Sequence, residues 1–359
     1  MDLKQRYKLA VPKGFFLDST ELSKLEAYLK DKGWINQSDK VIGASRAGDG
    51  NMNLTLRVDT SGQSIIVKQS RPWVEKFPHI EAPAGRAVIE GRFYQIIQEY
   101  SELQLFTPRV IGVDKESGIL VLEDLGMYND FTFIYDEDEQ ISDAGIISLC
   151  RFISLLHNRF TTENTGERIF NKAMKRLNHE HLFVFPLLLD NDFDLDKFTP
   201  DLQSLSLKYK RDSFFKKKVM ALGDIYLNEG DTLIHGDYYP AAWMETDKGI
   251  KIIDPEFSFF GPAEFDLGVF VAHLKMGRQN TATIKRVFDL YEPSKHFDIY
   301  LFCQFTGVEI MRRLLGIAQL PLSLNYTEKS ILLDEAYELI MKPGNTEVFH
   351  LIQSAEPCV

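Results

Sequence analysis

Cysteine is scarce in this chain, and long apolar runs are missing from it. The three cysteines, Cys150, Cys303 and Cys358, are far apart and show no CxxC spacing, so the sequence indicates neither a zinc site nor a disulfide framework. No apolar run approaches the roughly 20 residues that a membrane-spanning helix needs. The first residues, MDLKQRYKLAVPKGFF, carry scattered charges and no apolar h-region, unlike a secretory signal. We therefore expect reduced thiols and a cytoplasmic protein.

Positive charge is also in short supply. The 41 Lys and Arg residues face 52 Asp and Glu residues, and the formal net charge is −11. Because nucleic acids and anionic lipid surfaces attract basic proteins, this balance argues against nonspecific binding to either. We expect neither nucleic acid nor membrane as a partner. Any phosphate that the protein handles must then be bound locally, by a few basic groups and a metal.

The hydrophobic periodicity changes along the chain. The N-terminal part has short β-branched stretches, KVIGASR, LTLRVDT and SIIVKQS, separated by turn residues, then a helical stretch and a second hairpin in PRVIGVDKESGILVLEDLG. Beyond Gly126 most apolar residues recur three and four positions apart, as in helices. This pattern predicts an α+β protein with a small antiparallel-sheet lobe over residues 1–124 and a larger, mainly helical lobe over residues 125–359.

A glycine-containing loop is predicted between the first two strands. GDGNMN contains Gly48, Gly50, Asn51 and Asn53, small residues that would let backbone N–H groups approach a phosphate. A simple two-glycine hairpin turn is the alternative interpretation. The candidate gains weight from its position, because a lysine suited to bind phosphate oxygens follows it.

Lys68 comes directly after the apolar stretch SIIV, as does the lysine of the kinase VAIK pattern. Glu90, in the next predicted helix, is its candidate partner and would orient the ammonium toward a nucleotide. Further on, LVLEDLG fits a hinge whose backbone, from Glu123 to Leu125, could hydrogen-bond an adenine edge. A surface lysine and a solvated glutamate are the alternative interpretations.

Two aspartates follow short apolar strands in the second half of the chain. Asp237 ends IHGD, and Asp254 begins DPEF after KII. Asp237 would accept a hydrogen bond from an acceptor hydroxyl and later take its proton, while Asp254 would bind Mg²⁺. The alternative is a pair of buried aspartates that cap turns. In a kinase loop an asparagine stands five positions after the catalytic aspartate and holds a second metal, whereas here that position is Ala242.

Together these residues carry a resemblance. IVKQ, VLEDLG, IHGDYYP and IIDPEFSFFGPAEFDLG resemble the aminoglycoside phosphotransferase and choline kinase superfamily, and within it most closely the 5-methylthioribose kinases. The resemblance extends from about Ile42 to Ala318. It implies a two-lobed protein-kinase-like fold, ATP and Mg²⁺ as cofactors, a small-molecule acceptor and a homodimer.

The resemblance also implies roles for individual residues. Its D-x-E metal motif makes Glu256 the candidate for the missing ligand, so that three acids would gather around the metal. The late helix EIMRRLLGIA resembles the paired-arginine helix of that family, which suggests Arg312 and Arg313 as catalytic residues. Adjacent helical residues point about 100° apart, so we expect at most one arginine to reach the reaction centre and the other to pair with an acid such as Glu309.

Two aromatic residues are candidates for the acceptor site by the same resemblance. Trp73 falls where the family has a tryptophan-bearing loop, although a packed aromatic is the alternative interpretation. Tyr239 stands where the family usually has histidine. His157, His235 and Asp266 are interpreted as structural.

The leading hypothesis is an ATP- and Mg²⁺-dependent small-molecule kinase, a phosphotransferase with an alcohol group as acceptor. The acceptor would be methylthioribose or a related pentose. A second hypothesis keeps the fold and changes the acceptor to an amino alcohol, homoserine or an aminoglycoside. A third is a nucleotide-binding protein that has lost catalysis, for which Ala242 is the only support.

Overall fold

The N-terminal strands form one antiparallel sheet. The computed structural model describes residues 2–48, 50 and 52–355, so Asn51 and Cys358 lie outside the described residues. The strand order is β1-β2-β3-β5-β4, with bounds β1 (Val41–Arg46), β2 (Leu54–Thr60), β3 (Ser64–Gln69), β4 (Val110–Asp114) and β5 (Ile119–Glu123). All four pairings are antiparallel, and Lys68 lies opposite Leu120. The predicted meander and hairpin are confirmed.

Four helices accompany this sheet: α1 (Leu3–Ala10), α2 (Leu22–Asp31), α3 (Arg86–Ile97) and α4 (Ser101–Gln104). Leucines of α2 pack with inward-facing residues of the strands in one apolar core. Helix α3 approaches the sheet closely, because a Cβ atom on Gly91 would lie 2.8 Å from Val113 Cγ2 and 3.1 Å from Leu120 Cδ1. The glycine therefore sets how near α3, which carries Glu90, can come to the strands.

The later part of the chain is mainly helical, as predicted. Its helices are α5 (Asp143–Arg159), α6 (Lys172–His179), α7 (Leu202–Lys210), α8 (Ser213–Leu227), α9 (Ala263–Met276), α10 (Thr281–Leu290), α11 (Ile299–Leu315), α12 (Tyr326–Met341) and α13 (Glu347–Gln353). Its short strands are β6 (Thr232–Ile234), β7 (Trp243–Thr246), β8 (Gly249–Ile252) and β9 (Phe259–Gly261). β6 pairs with β9 in an antiparallel arrangement. None of the helices in the described ranges is long and apolar enough to cross a membrane.

Helix α11 runs through the interior of this helical part. Its residues from Phe302 to Leu315 are buried, so the polar groups that it carries must be paired within the protein. Gly268 lets the backbones of α9 and α11 approach, since a Cβ atom on Gly268 would lie 3.0 Å from Thr306 N. Gly307 of α11 does the same toward α12, where a Cβ atom would lie 2.6 Å from the Ala336 carbonyl oxygen. Close packing of α9 against α11 brings the end of α11, with its paired arginines, next to polar residues of α9.

The chain forms two compact units. The first contains the chain up to Tyr128 together with Lys251–Phe257, and the second contains Asn129–Ile250 and the chain from Ser258 onward. The short segment that includes Asp254 and Glu256 therefore belongs to the same unit as Lys68. The division into 1–124 and 125–359 did not anticipate this grouping.

Candidate active site

Lys68 lies between two carboxylates in the first unit. Its Nζ donates to Glu90 Oε1 at 2.7 Å and contacts Asp254 Oδ1. Residue Lys68 is buried and Glu90 is fully buried. Burial alone would lower the pKa of Lys68, but the charges of Asp254 and Glu90 outweigh it and raise the pKa. The predicted pairing of Lys68 with Glu90 is therefore present, and Lys68 is a fixed cation.

Glu90 lies on α3 and is fully buried. Burial raises the pKa of Glu90 to about 7, although the Lys68 ammonium opposes this change. Tyr94, one turn further along α3, donates weakly to Glu90 Oε1 at 3.4 Å. Among the described residues, Glu90 Oε2 has no hydrogen-bond partner. Lys68 and Tyr94 thus both bind Glu90 Oε1, and the Lys68 ammonium is the group that favours the ionised carboxylate.

Asp254 presents its carboxylate from an unusual backbone conformation. Its φ is +61°, in the left-handed region where side chains other than glycine, asparagine and aspartate are rare. Its side chain is 50% exposed, in contrast to its partner Lys68 at 8%. The Asp254 carboxylate already binds one cation, the Lys68 ammonium. Its oxygens and its exposed side chain also suit a divalent cation such as Mg²⁺, which prefers carboxylate ligands.

Glu256 has a different environment, two residues further on. Its Oε2 accepts from the Asn53 side-chain amide at 2.8 Å and lies 3.4 Å from Arg86 Nε. Burial raises the pKa of Glu256, while the Arg86 charge opposes this. Within either unit, the described residues contain no group of three or more His, Cys, Asp or Glu side chains that could hold a metal. The fit of Glu256 to a metal is therefore weaker than that of Asp254, and the three-acid metal site stays a prediction.

The loop that carries Asp237 is fixed by its backbone. Asp266, in the first turn of α9, accepts from His235 N at 2.6 Å and from Gly236 N at 2.9 Å. Gly236 has φ +82°, a conformation suited to glycine, and allows the chain to turn here. His157 Nε2 lies 3.4 Å from Asp266 as well. The structural interpretation of Asp266 and His157 is confirmed, and Asp237 follows directly after the anchored turn.

Both arginines at the end of α11 reach Asp237. Arg312 Nη1 and Arg313 Nη2 each lie 3.3 Å from Asp237 Oδ1. We expected at most one arginine to reach the reaction centre, whereas the structure brings both to Asp237, the candidate catalytic residue. Each guanidinium is long enough to offset the 100° between adjacent positions, and Glu309, one turn earlier, draws them together. Both arginines are buried, so they are not an exposed pair.

Glu309 binds both arginines. Its carboxylate accepts from Arg312 Nη1 at 3.1 and 3.2 Å and from Arg313 Nε at 2.6 Å. It is fully buried, which would raise its pKa, but the two guanidinium charges outweigh burial and lower the pKa well below the usual range. In return, the carboxylates of Glu309 and Asp237 outweigh burial and raise the pKa of Arg313. The expected pairing of an arginine with Glu309 is confirmed for both arginines.

A histidine and a tyrosine extend this network, and the sequence analysis did not include them. His273 Nε2 lies 3.0 Å from Glu309 Oε1, and His273 Nδ1 lies 2.5 Å from the Tyr135 hydroxyl. Burial lowers the pKa of His273 to about 4, so the ring is neutral at neutral pH and donates from Nε2 to Glu309. The available signal was the position of His273, two helical turns after Asp266 on α9.

Tyr239 lies against the same network. Its ring centroid is 4.6 Å from the Arg313 guanidinium carbon and 5.2 Å from the His273 ring centroid. Its carbonyl accepts from Ala242 N at 2.8 Å. Ala242 is buried and has only a methyl group, so it offers no side-chain oxygen to a metal. The aromatic face of Tyr239 is thus occupied by Arg313 in this structure.

The remaining candidates of the first unit differ in exposure. Trp73 has no exposed surface and packs under Arg6, whose guanidinium carbon is 4.8 Å from the ring centroid. This environment is that of the packed aromatic and leaves no ring face for an acceptor. Gly48, with φ +72°, and Gly50 are exposed and have open space where a Cβ atom would be. Their backbone can therefore approach a ligand.

The predicted hinge follows β5. The Glu123 N–H donates to the Arg109 carbonyl at 3.0 Å, and the Glu123 carboxylate accepts from Arg109 N at 2.9 Å. This N–H is therefore already used within the protein. The Glu123 carbonyl and the Leu125 backbone keep the predicted role toward adenine.

The chain matches one family model and several known kinases. The model of the phosphotransferase enzyme family matches residues 43–297. A methylthioribose kinase of Bacillus cereus (strain B4264) is 28% identical over 278 residues, which cover 74% of this chain and 68% of that protein.

Solved structures of low sequence identity share the fold. Amicoumacin kinase hAmiN, in complex with AMP-PNP, Ca²⁺ and Ami, has a TM-score of 0.51 and 12% identity and covers 91% of this chain and 98% of its own. A choline/ethanolamine kinase family protein from Mesorhizobium loti has a TM-score of 0.50 and 13% identity, with 92% and 98% covered. The predicted α+β, protein-kinase-like fold is confirmed.

Proposed function

This chain belongs to the phosphotransferase enzyme family, and from that premise we propose that it is a kinase that transfers the γ-phosphoryl group of ATP to a hydroxyl of methylthioribose or a related pentose. The observation that carries the proposal is the pair of buried arginines at one oxygen of Asp237. A phosphoryl group in transfer carries negative charge that such groups stabilise.

The first unit supplies the nucleotide-binding groups in this proposal. The backbone at Gly48 and Gly50 would approach the phosphates, and Lys68, held by Glu90, would bind the α and β oxygens. The Glu123 carbonyl and the Leu125 backbone would bind the adenine edge. Asp254 would hold Mg²⁺, which when bound neutralises charge on the nucleotide phosphates.

The second unit supplies the acceptor-binding groups. Asp237 Oδ1 is taken by the arginines, so its Oδ2 would accept a hydrogen bond from the acceptor hydroxyl and then its proton. Arg312 and Arg313, whose positions are fixed by Glu309, would stabilise the transferring phosphoryl group. The two guanidinium charges keep Glu309 ionised, and the hydrogen bond from neutral His273 to Glu309 Oε1 adds to this effect, so the carboxylate holds the arginines in place.

Charge supports the choice of a sugar as the acceptor. Two buried guanidinium groups beside Asp237 would repel a cation, so choline or an aminoglycoside would be disfavoured there. A neutral sugar meets no such repulsion and offers hydroxyls that guanidinium N–H groups can bind. The named relative from Bacillus cereus is a methylthioribose kinase, which supports the same choice.

An acceptor screen tests this proposal. ADP release should be measured with methylthioribose, ribose, choline, homoserine and kanamycin at equal concentrations. We expect methylthioribose, or failing that another pentose, to give the highest kcat/KM. Preferential phosphorylation of choline, homoserine or kanamycin would refute the assignment of the acceptor but keep the kinase. A cytoplasmic location and a homodimer remain predictions, the second by family resemblance alone.

Asp237→Ala tests the catalytic role directly. Loss of the residue that positions the hydroxyl should lower kcat by about a thousandfold or more, whereas ADP affinity, measured by calorimetry, should stay within about twofold. A variant that keeps near wild-type turnover contradicts the role of Asp237.

A further inference from the structure

Arg86 is a fully buried cation at the start of α3. Its guanidinium reaches several segments that are separate in sequence. It donates to Asn53 Oδ1 (3.1 Å) and to the carbonyls of Met52 (2.7 Å), Arg71 (3.1 Å), Trp73 (3.3 Å) and Pro83 (2.6 Å). Five donor contacts use the full hydrogen-bonding capacity of a guanidinium, which a lysine cannot reproduce.

The charge of Arg86 is balanced by Glu256. Arg86 Nε lies 3.4 Å from Glu256 Oε2, and the Asn53 amide donates to the same oxygen at 2.8 Å. A buried carboxylate is stable only when it is paired and hydrogen-bonded. Arg86, Asn53 and Glu256 are thus mutually paired, which links the last residue of the glycine-containing loop to the D-x-E motif.

Helix α3 contacts both acids of this motif from one face. Arg86 and Glu90 are four positions apart and lie on the same side of the helix. Glu90 binds Lys68, which contacts Asp254, while Arg86 pairs directly with Glu256. Asp254 is half-exposed, whereas Glu256 is buried. The two acids of the motif therefore differ in both partner and exposure: Asp254 contacts Lys68 and reaches solvent, whereas Glu256 pairs with Arg86 in the interior.

We infer that Arg86 is a positioning residue: it pairs with Glu256 and holds it against the loop at Met52 and Asn53. Asp254 then binds the metal without Glu256. Through this contact Arg86 sets the affinity for the nucleotide and takes no part in the chemistry. The inference rests on the proposed function, because it takes the glycine-containing loop to bind nucleotide.

Arg86→Lys and a matched control test this role. Arg71 is also a buried arginine of the first unit, but its side chain donates to the Leu17 carbonyl at 2.6 Å and pairs with Glu75 at 3.1 Å, outside the motif. We expect Arg86→Lys to raise the KM for ATP about tenfold while kcat changes by less than about threefold. Arg71→Lys should leave both within about twofold. Equal effects of the two variants on KM would mean that Arg86 is merely structural.

Glu256→Gln separates positioning from metal binding. The measurement is the affinity for ADP by calorimetry at increasing Mg²⁺ concentrations. We expect Glu256→Gln to weaken ADP binding about as much as Arg86→Lys does. The Mg²⁺ concentration at which the increase in ADP affinity is half-maximal should be the same as in the wild type. If Glu256→Gln raises this concentration about tenfold and Arg86→Lys does not, Glu256 is a metal ligand and the inference is overturned.

Two measurements need no acceptor and so separate this inference from the proposed function. One is metal-free ADP binding, and the other is amide hydrogen exchange over residues 52–55. If the wild-type protein binds no ADP, the proposed function fails. If it binds ADP but Arg86→Lys and Arg71→Lys show the same exchange over 52–55, only the inference fails. Faster exchange in Arg86→Lys alone supports it.

Discussion

Replacing Glu309 by glutamine tests how the arginine pair is held. The substitution keeps the shape of the side chain and removes its charge. Glu309 is fully buried and contacts Arg312, Arg313 and His273, so the variant leaves two buried guanidinium groups with Asp237 as their remaining carboxylate. Breaking a buried ion pair costs about 3–5 kcal/mol. Because glutamine can still accept one hydrogen bond, we expect a loss of about 3 kcal/mol in the free energy of unfolding.

The expected loss depends on pH in a defined direction. The pKa of Glu309 is lower in the folded protein than its ordinary value of 4.5. The carboxylate therefore contributes its full stabilisation above pH 4.5, and this contribution is lost as the pH falls through the folded pKa. The difference between the wild type and Glu309→Gln should be constant near neutral pH and shrink in acid. Activity should fall as well, by about tenfold or more, because unbalanced arginines close on Asp237.

Urea unfolding followed by far-ultraviolet circular dichroism measures the change. Glu264 provides the matched control, since it is also a buried glutamate of the second unit but accepts from a backbone group, the Asp298 N–H at 2.7 Å, instead of from arginines. Burial raises the pKa of Glu264, so its ionised form is disfavoured, and Glu264→Gln should change stability by less than about 1 kcal/mol. Equal losses for the two variants would falsify the view that Glu309 acts through the arginines.

Three further substitutions test other contacts. Asp254→Asn, which tolerates the left-handed backbone, should weaken Mg²⁺-ADP binding about tenfold in calorimetry and leave metal-free ADP binding within about twofold; unchanged Mg²⁺-ADP affinity would count against Asp254. His273, with its pKa lowered from 6.5 to about 4, favours the folded state fully above pH 6.5 and loses this contribution as the pH falls toward 4. Between pH 7 and 5, urea titrations should show that the free energy of unfolding falls by about 2 kcal/mol more in the wild type than in His273→Gln. The same fall in both proteins would refute this. Gly91→Ala would force α3 away from Val113. It should lower the free energy of unfolding by about 1–3 kcal/mol in thermal unfolding and raise the KM for ATP. An unchanged KM would show that α3 tolerates the shift.

The regular elements could be predicted because their signals are local. The β-branched stretch SIIVKQ corresponds to β3, in which Ile65 and Val67 are buried, and the helical spacing before the paired arginines corresponds to α11. The exact end of an element depends on local side-chain contacts: the Asp18 carboxylate accepts from Thr20 N at 2.9 Å, and α2 begins only at Leu22.

The partners of the site residues were harder to predict. Lys68, Asp237 and Asp254 stand out because each comes after an apolar stretch of sequence, which is a local pattern. Arg86 has no such pattern: it lies in a helix with ordinary periodicity, and its carboxylate partner is far away in the chain. The bond between His273 and Glu309 likewise joins two helices through side chains. Such pairings depend on tertiary packing, which periodicity does not encode.

The chain passes between its two compact units at three junctions, after Tyr128, after Ile250 and after Phe257. A fragment that stops at the first junction would keep the sheet but lose Lys251–Phe257, leaving the buried cations Lys68 and Arg86 without Asp254 and Glu256. Recombination between relatives by a single crossover would join a foreign acidic motif to resident cations in the same way. An exchange of a whole unit between relatives therefore needs a crossover at all three junctions. The short acidic segment must then be inherited together with a sheet far earlier in the sequence.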